Sequence, residues 1–517
     1  MQMPSLLILF CLSAQGPAGS GPVLHTGISG DRELLSILEL KCTGHYRESH
    51  AATLESLRRA LAKPSLTREE QARAEFLVAL AANLTAKVPS HGESARVFGE
   101  LSRLPTTKKY PILLSWIQHH RADALFSAGQ VAAATEVLDE LGYIRDFVVV
   151  GPLDNERGSG FHRTFLPEEA PSVPLDLSKK LDGKKREVQY RRIRIYDEAL
   201  AKLDLGARFR PNRQVLGCVL FCIKSDRDRT VALRLASTGS LVVRLNGQVV
   251  MRRDCQRRPL GWDQDVCALD LLAGANLVVV KVCGQDTGPD VRVRLTSLDG
   301  GSLAPGVKVD ATPRLLEEAG RKRVGASRES EPNSRRGAVH RGAVDWLTRQ
   351  LSRAESSSPQ MRGMLAFQLA TLLALRAEDD ESSRRDRRFA ELATRLLPEF
   401  GPAWYLHAFT LLKRSGSQAD REENARLNAY LEAIRTWPRY VEAMRALAEM
   451  ERTQRSNLAK ASSWLERALK ENPRYVYGCL ENLRCLKAAG FETGRALAIR
   501  SYLADAILSR HPAIQLE

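Results

Sequence analysis

Apolar positions along this 517-residue chain recur with two different periods, and the switch between them divides it. From about Asp31 to Gly142 the spacing is helical, as in Leu54, Leu57 and Leu61, or Phe76, Leu77, Leu80 and Leu84. A third run, Leu113, Leu114 and Ile117, leads to Ala124 and Leu125. Thr67-Arg68-Glu69-Glu70 reads as a capping box ahead of a long helix, with hydroxyl and carboxylate each satisfying the other's backbone N–H. Pro64, Pro89 and Pro105 interrupt the pattern, so six helices in antiparallel pairs are expected. From Asp146 to Leu303 the period becomes two and β-branched residues dominate. Strands are predicted at Phe147–Gly151, Glu187–Tyr196, Val215–Ile223, Thr230–Leu235, Leu241–Leu245, Val266–Leu271, Asn276–Val282 and Val291–Leu295. Short strands with no helical pattern between them indicate an antiparallel β-sandwich. Asn246-Gly247, between Leu245 and Val249-Val250, predicts a two-residue hairpin turn.

Residues 304–341 are rich in Arg, Ser and Glu and read as a polar linker; a polyanion-binding patch is the other reading. From Gly342 the helical spacing returns, and it repeats. Prolines at 398, 438, 473 and 512 each follow an amphipathic helix, at separations of 40, 35 and 39 residues. Three open similar segments: Pro398-Glu399-Phe400, Pro438-Arg439-Tyr440 and Pro473-Arg474-Tyr475. Small residues at Ala448, Ala461 and Ala468, and again at Ala408 after Trp404, fall where paired helices must approach closely. Ala122, Gly129 and Ala134 echo the pattern near the N-terminus. Together these features resemble the tetratricopeptide repeat. The resemblance implies stacked helix pairs whose concave groove takes an extended peptide or a partner helix. Ala461 and Ala468, two turns apart, are expected to face the neighbouring helix at Met444–Ala448.

The middle segment carries a second resemblance. Phe147-Val148-Val149-Val150-Gly151-Pro152-Leu153-Asp154-Asn155 runs on to Gly158-Ser159-Gly160-Phe161 and Leu166-Pro167-Glu168-Glu169. This is similar to the opening of a jelly-roll-like module in exported bacterial multidomain transglutaminase-like proteins, where the module lies between tetratricopeptide repeats. The hairpin from Leu241 to Val250, with Leu272-Ala273-Gly274-Ala275-Asn276 and Val280-Lys281-Val282, is similar to jelly-roll modules attached to glycoside hydrolases. Ser237-Thr238-Gly239 replaces the acidic turn of ligand- or calcium-binding relatives, and Arg244 stands where an aromatic residue is common. No segment corresponds to the transglutaminase-like domain, so inherited catalysis is not expected.

Composition changes this picture little. Hydrophobic residues make up 44% and charged residues 27%, as in soluble globular proteins, and the net charge of +16 is spread through every segment. No aromatic stacking motif accompanies the charge, which argues against a nucleic-acid role. Residues 6–14 form a short apolar core ahead of Ala14-Gln15-Gly16, the layout of a secretory signal with a mature start near residue 17, although no Lys or Arg precedes the core. Phe10 before Cys11 argues against a lipoprotein. The other cysteines form no CxxC pair. Cys218 and Cys222 fall on one face of a strand as small hydrophobes, and Cys255 and Cys267 flank a loop and could pair in an oxidising compartment, which the sequence leaves open.

Phosphate-binding glycine loops, GxSxG and HExxH are absent from the sequence. The β segment has five cysteines but one histidine, His162, so a Cys–His nucleophile pair is not expected. Cys42, His45 and His50 have a spacing that could ligate zinc, but a helix end and polar loop explain them as well. His119-His120 lies on a helix and points to two faces. Glu168-Glu169 and Asp263/Asp265 could serve as a glycosidase carboxylate pair, but read as solvated loops.

The sequence therefore predicts a multidomain α + β chain. Its parts are a signal peptide (1–20), a helical-repeat block (29–143), a jelly-roll-like β-sandwich (144–303), a polar linker (304–341) and a C-terminal tetratricopeptide-like block (342–517). No catalytic, cofactor or metal residues are assigned. The expected function is a non-enzymatic exported interaction scaffold, periplasmic or envelope-associated. It would take a protein or peptide in the helical groove and a glycan or protein on the sandwich. An accessory part of a transglutaminase-like or glycoside-hydrolase-like system is the alternative.

Overall fold

The computed structural model describes residues 31–88, 90–169, 173–196, 200–255, 259–286, 288–321, 342–354, 358–376, 385–411 and 419–505, with 508, 511 and 514. The apolar 6–14 segment, its cleavage motif, Cys11, Pro89, Pro512 and 322–341 lie outside the described residues. The fold is mixed α and β: helices, then antiparallel sheets, then helices.

The first helices are α1 (Arg32–Cys42), α2 (Tyr46–Leu61), α3 (Arg68–Thr85), α4 (His91–Arg103), α5 (Pro105–Lys108), α6 (Pro111–Ser127) and α7 (Val131–Glu140). Six were expected; α5 is the addition, a four-residue turn with Pro105 in its first position. The capping box forms at α3: Glu70 N donates to Thr67 Oγ1 at 3.2 Å, and Thr67 N donates to Glu70 Oε2 at 2.8 Å.

The strands are β1 (Asp146–Asp154), β2 (Leu181–Asp182), β3 (Glu187–Val188), β4 (Arg191–Arg194), β5 (Leu203–Asp204), β6 (Val215–Ser225), β7 (Arg229–Ser237), β8 (Ser240–Leu245), β9 (Gln248–Arg253), β10 (Asp265–Leu271), β11 (Gly274–Gly284), β12 (Asp290–Thr296) and β13 (Val307–Asp310). The expected strand 187–196 is split into β3 and β4. One sheet has the order β4-β1-β6-β11-β8-β9, with β13 also on β6, and a second has β10-β7-β12-β5. A short β2–β3 hairpin stands apart. Alternation along β6 sorts its side chains: Val219, Phe221 and Ile223 join Leu233 and Leu235 of β7 in a core between the sheets. Cys218, Leu220 and Cys222 point the other way, so the two cysteines do share a face.

That outer face is itself covered. Besides the one-turn helix α8 (Leu205–Arg208) after β5, a helix α9 (Pro313–Arg321) lays Leu315, Leu316 and Ala319 against that face, and β13 pairs with β6 from Val307↔Ser225 to Asp310↔Cys222. The first half of the segment expected as a polar linker is therefore part of the fold. Its apolar stripe supplies the burial that its overall polarity concealed.

The later helices are α10 (Ala343–Arg353), α11 (Pro359–Arg376), α12 (Arg385–Leu396), α13 (Gly401–Thr410), α14 (Ala419–Thr436), α15 (Val441–Thr453), α16 (Leu458–Glu471), α17 (Val476–Ala488) and α18 (Glu492–Ala504). Each packs on the next, and α11 also reaches α13 as α15 reaches α17. Phe400, Tyr440 and Tyr475, read from the repeated proline segments, are all buried immediately before α13, α15 and α17. The two helical regions share one core: Phe76 and Leu80 of α3 belong to the same apolar cluster as Phe367 of α11 and Tyr440. Contacts of α3 with α10 and α11, and of α1 with α15, close the chain's two ends on each other.

Asn246 (φ 49°) and Gly247 (φ 85°) both sit in the left-handed region, forming the turn that joins β8 to β9. Gly247→Val should cost about 1–3 kcal/mol, because a β-branched residue resists that φ. Thermal unfolding of the whole chain checks this, and an unshifted midpoint would exclude the strained turn. Ala461 is fully buried in one cluster with Ala448 and Leu465, as the repeat spacing anticipates. Ala461→Leu should overpack the α15–α16 contact by about 1–3 kcal/mol. Limited proteolysis should then cut beyond residue 400 first; a parent-like digest would place Ala461 at the surface.

Candidate functional site

The charged and aromatic groups converge where the chain's ends meet. Glu442 opens α15 and is almost wholly buried; it takes Lys41 Nζ of α1 on Oε2 at 2.6 Å and Lys87 Nζ, just past α3, on Oε1. The Tyr46 hydroxyl donates to the same Oε1 at 2.7 Å and lies 3.3 Å from the Tyr475 hydroxyl. Burial alone would raise the Glu442 carboxyl, but the two ammoniums override it and hold the group far below the usual carboxylate range. The lysines divide unequally: Lys41 ends above its ordinary value and Lys87 below, since burial outweighs a shared carboxylate at the second.

The same face of the later helices is met four times in succession. Arg376 of α11 donates to Glu75 of α3 at 3.0 Å, and Lys41 stands over the Tyr405 ring of α13 at 5.6 Å. Glu442 is the contact from α15. Tyr475 and Tyr477 flank Tyr46, and Asn472 Nδ2 donates to the Thr43 carbonyl at 2.9 Å. These contacts join α11, α13, α15 and the segment ahead of α17 to α1, α2 and α3.

A second cluster joins the sheets to the helices. His119 of α6 stacks on Trp262 with centroids 4.8 Å apart and planes 4° apart, and Arg292 covers the indole's other face at 3.8 Å. Trp262 Nε1 donates to Asp123 at 2.9 Å, and His119 Nε2 lies 3.0 Å from the Tyr143 hydroxyl. Asp263 binds Arg294 in a two-pronged pair, its Oδ1 accepting from Nε at 2.8 Å. Burial drives the His119 imidazole well below its ordinary value, keeping it neutral; Asp263, despite burial, is held low by Arg294.

The carboxylates expected in solvated loops are largely not solvated. The Asp263 side chain is covered in its pair with Arg294 although the residue is half-buried, and Asp265 is buried within 3.5 Å of Arg253. Glu168 is fully buried, bound by Arg244 at 3.2 Å and Lys281 at 3.1 Å, while Glu169 is exposed. Their counter-charges arrive from distant strands, which no local pattern announces. The Glu168 pairings pin the loop after β1 to the outer face of the sheet.

Cys42, His45 and His50 turn to separate partners. Cys42 ends α1 in the core, where burial pushes its thiol up to about 12. His45 Nδ1 lies 3.0 Å from Thr43 Oγ1, and His50 Nε2 lies 2.9 Å from Thr85 Oγ1, its imidazole pushed down to about 4 by burial. His120 stacks on Trp116, whose ring His119 also meets edge-on with centroids 5.7 Å apart. Among the described residues, no three His, Cys, Asp or Glu side chains are grouped to hold a metal, and no helix is long and apolar enough to cross a membrane. No disulfide joins Cys255 and Cys267, both buried. His162 does share a small pocket with Cys283 and Asp254, a grouping the sequence did not suggest. Burial pushes the Cys283 thiol up to about 12, the reverse of an activated nucleophile.

No protein-family model matches the chain, and no curated protein matches it in sequence.

The buried groups make stability depend on pH in two stages. His50 and His119 bind protons less readily folded than unfolded, so their contribution is complete above about 6.5 and falls as pH drops below it, for His50 down to about 4. Glu442 and Asp263 contribute above the ordinary carboxylate values of 4.5 and 3.8 and lose that contribution on further acidification. Denaturant midpoints across a pH series should show both declines. Glu442→Gln should flatten the lower one and cost about 3–5 kcal/mol at neutral pH, since two buried ammoniums lose their carboxylate. A Glu442→Gln protein as stable as the parent would remove this cluster from the fold's foundations.

Proposed function

We propose that the chain is a non-catalytic, exported interaction scaffold. Tetratricopeptide-like helix pairs from both ends form a closed frame, and the frame carries a jelly-roll-like sandwich whose exposed surface contacts a glycan or a protein. One observation carries this reading: four successive segments of the C-terminal helices are bonded in turn to α1, α2 and α3. A groove so filled does not offer its bed to a peptide, so the partner surface moves from the helices to the sheets. The Trp262–His119 junction supports the same arrangement, because it fixes the sheets on α6 and leaves the β2–β3 hairpin and the β4 edge exposed. The export element rests on the 6–14 segment and on the resemblance to exported multidomain proteins.

The grouping of Cys283, His162 and Asp254 supplies the test. The purified whole chain, offered glutaminyl-peptide and glycosidic substrates, should turn over none of them, and Cys283→Ser should leave its binding properties unchanged. Turnover that Cys283→Ser abolishes would replace this reading with an enzymatic one.

A further inference from the structure

The basic residues are less evenly spread in space than in sequence. Between residues 174 and 196 there are eight Lys and Arg against three Asp and Glu. This stretch forms the β2–β3 hairpin and β4, the edge strand of the larger sheet. Three of its cations are spent locally: Lys184 on Glu156 and Asp154, Lys180 on Glu187, and Arg192 on Asp146. Lys184 also anchors the hairpin, donating to the Gln214 carbonyl at 2.7 Å. Lys179, Lys185, Arg186, Arg191 and Arg194 are exposed and form no ion pair among the described residues.

The band continues beyond β4. Asp310 of β13 interacts with both Arg192 and Lys224, which carries the surface across to β6. There Lys308 sits directly opposite Lys224 in the β13–β6 register, both exposed and neither ion-paired among the described residues. Like charges facing each other across strands are destabilising, and an anion between them relieves the cost. They border an open hollow of about 330 Å³, within the range of ligand sites, walled by Leu315 and Glu318 of α9. Asp226 also lines it, but is taken by Arg229.

We propose that the hairpin, the β4 edge and this hollow form one binding band for a linear acidic polysaccharide, carboxylated or sulfated. The proposal rests on the glycan-binding reading of the sheets and gives it a ligand class and a place. An extended row of unpaired cations suits a polymer carrying repeated charges. Nucleic acid is disfavoured because Tyr196 is the single strongly exposed aromatic of the band, too few for base stacking. A strand-adding acidic peptide would find only four residues of β4, and Ile195 N beyond it already donates to the Arg145 carbonyl. A membrane would need exposed apolar anchors, and the band has Tyr196 alone.

Fluorescent alginate and heparin oligosaccharides, titrated against the whole chain, test this alongside polyglutamate and single-stranded DNA of matched charge. Both polysaccharides should bind, with affinity falling steeply as salt rises. Combined Lys179→Ser, Lys185→Ser, Arg186→Ser and Arg191→Ser should weaken binding roughly tenfold or more, as should Lys224→Ser with Lys308→Ser. The control variant Arg47→Ser, Arg103→Ser and Lys108→Ser removes exposed charge from the helices and should stay within about twofold of the parent. Melting curves confirm that each variant is folded. Equal weakening by the control would reduce the effect to net charge and overturn the band. Tighter binding of DNA or polyglutamate, or no polysaccharide binding, would overturn the ligand class. Binding of neutral glycans alone would sink this proposal while preserving the broader reading of the sheets.

Discussion

A carboxylate shared by two ammoniums, with little water to help any of the three, sets the terms for this fold. Glu442 can remain ionised in the core only while Lys41 and Lys87 are both in place. Helix geometry favours the arrangement: Glu442 lies in the first turn of α15 and Lys41 in the last turn of α1, so each charge faces the helix end of opposite polarity. The apolar core supplies most of the burial, but apolar surfaces slide. An ion cluster with directional hydrogen bonds from Tyr46 admits one registration of the early helices on the late ones. The Arg376–Glu75 pair repeats the device one stretch away, where Glu75 also accepts from the backbone N–H of Ala343 at 3.0 Å.

What the sequence revealed and what it concealed follow a common physical line. Strands, the Thr67 capping box, the Asn246-Gly247 turn and the buried alanines are local patterns, and local patterns can be read. The Ala448–Ala461 contact was legible because close helix approach demands small residues at a fixed spacing. Asp263 and Glu168 were illegible: an acid in a loop looks the same whether water or a distant arginine solvates it, and Arg294, Arg244 and Lys281 come from strands far along the chain. Docking of the early helices on the late ones was equally hidden, since Tyr46 and Lys41 carry no mark of where they dock. α9 is different. Pro313 ahead of Leu315, Leu316 and Ala319 was a helix start followed by an apolar stripe, and the surrounding arginines and serines drew attention away from it.

The candidate site has the same character. Residues with conspicuous chemistry, such as Cys42, His50, His119 and Asp263, are tied into the packing, and their shifted protonation reflects burial and pairing. Strong pKa perturbation marks functional sites in many proteins, but ion clusters that join distant segments produce it too. The surface features that support a binding role are individually ordinary: an edge strand, a short hairpin, two lysines facing each other. Their meaning comes from being contiguous, which only the fold supplies.

The pairing of α1 with α15 also bears on how the protein is made. Lys41 and Glu442 are 401 residues apart. At roughly 5–20 residues per second of synthesis, α1 leaves the ribosome tens of seconds before its partner exists. During that interval Leu34, Ile37 and Leu38, buried in the finished protein, have only their immediate neighbours for cover. Docking of α1 on α15 is therefore a late event, with a large loop to bring together before its contacts can form.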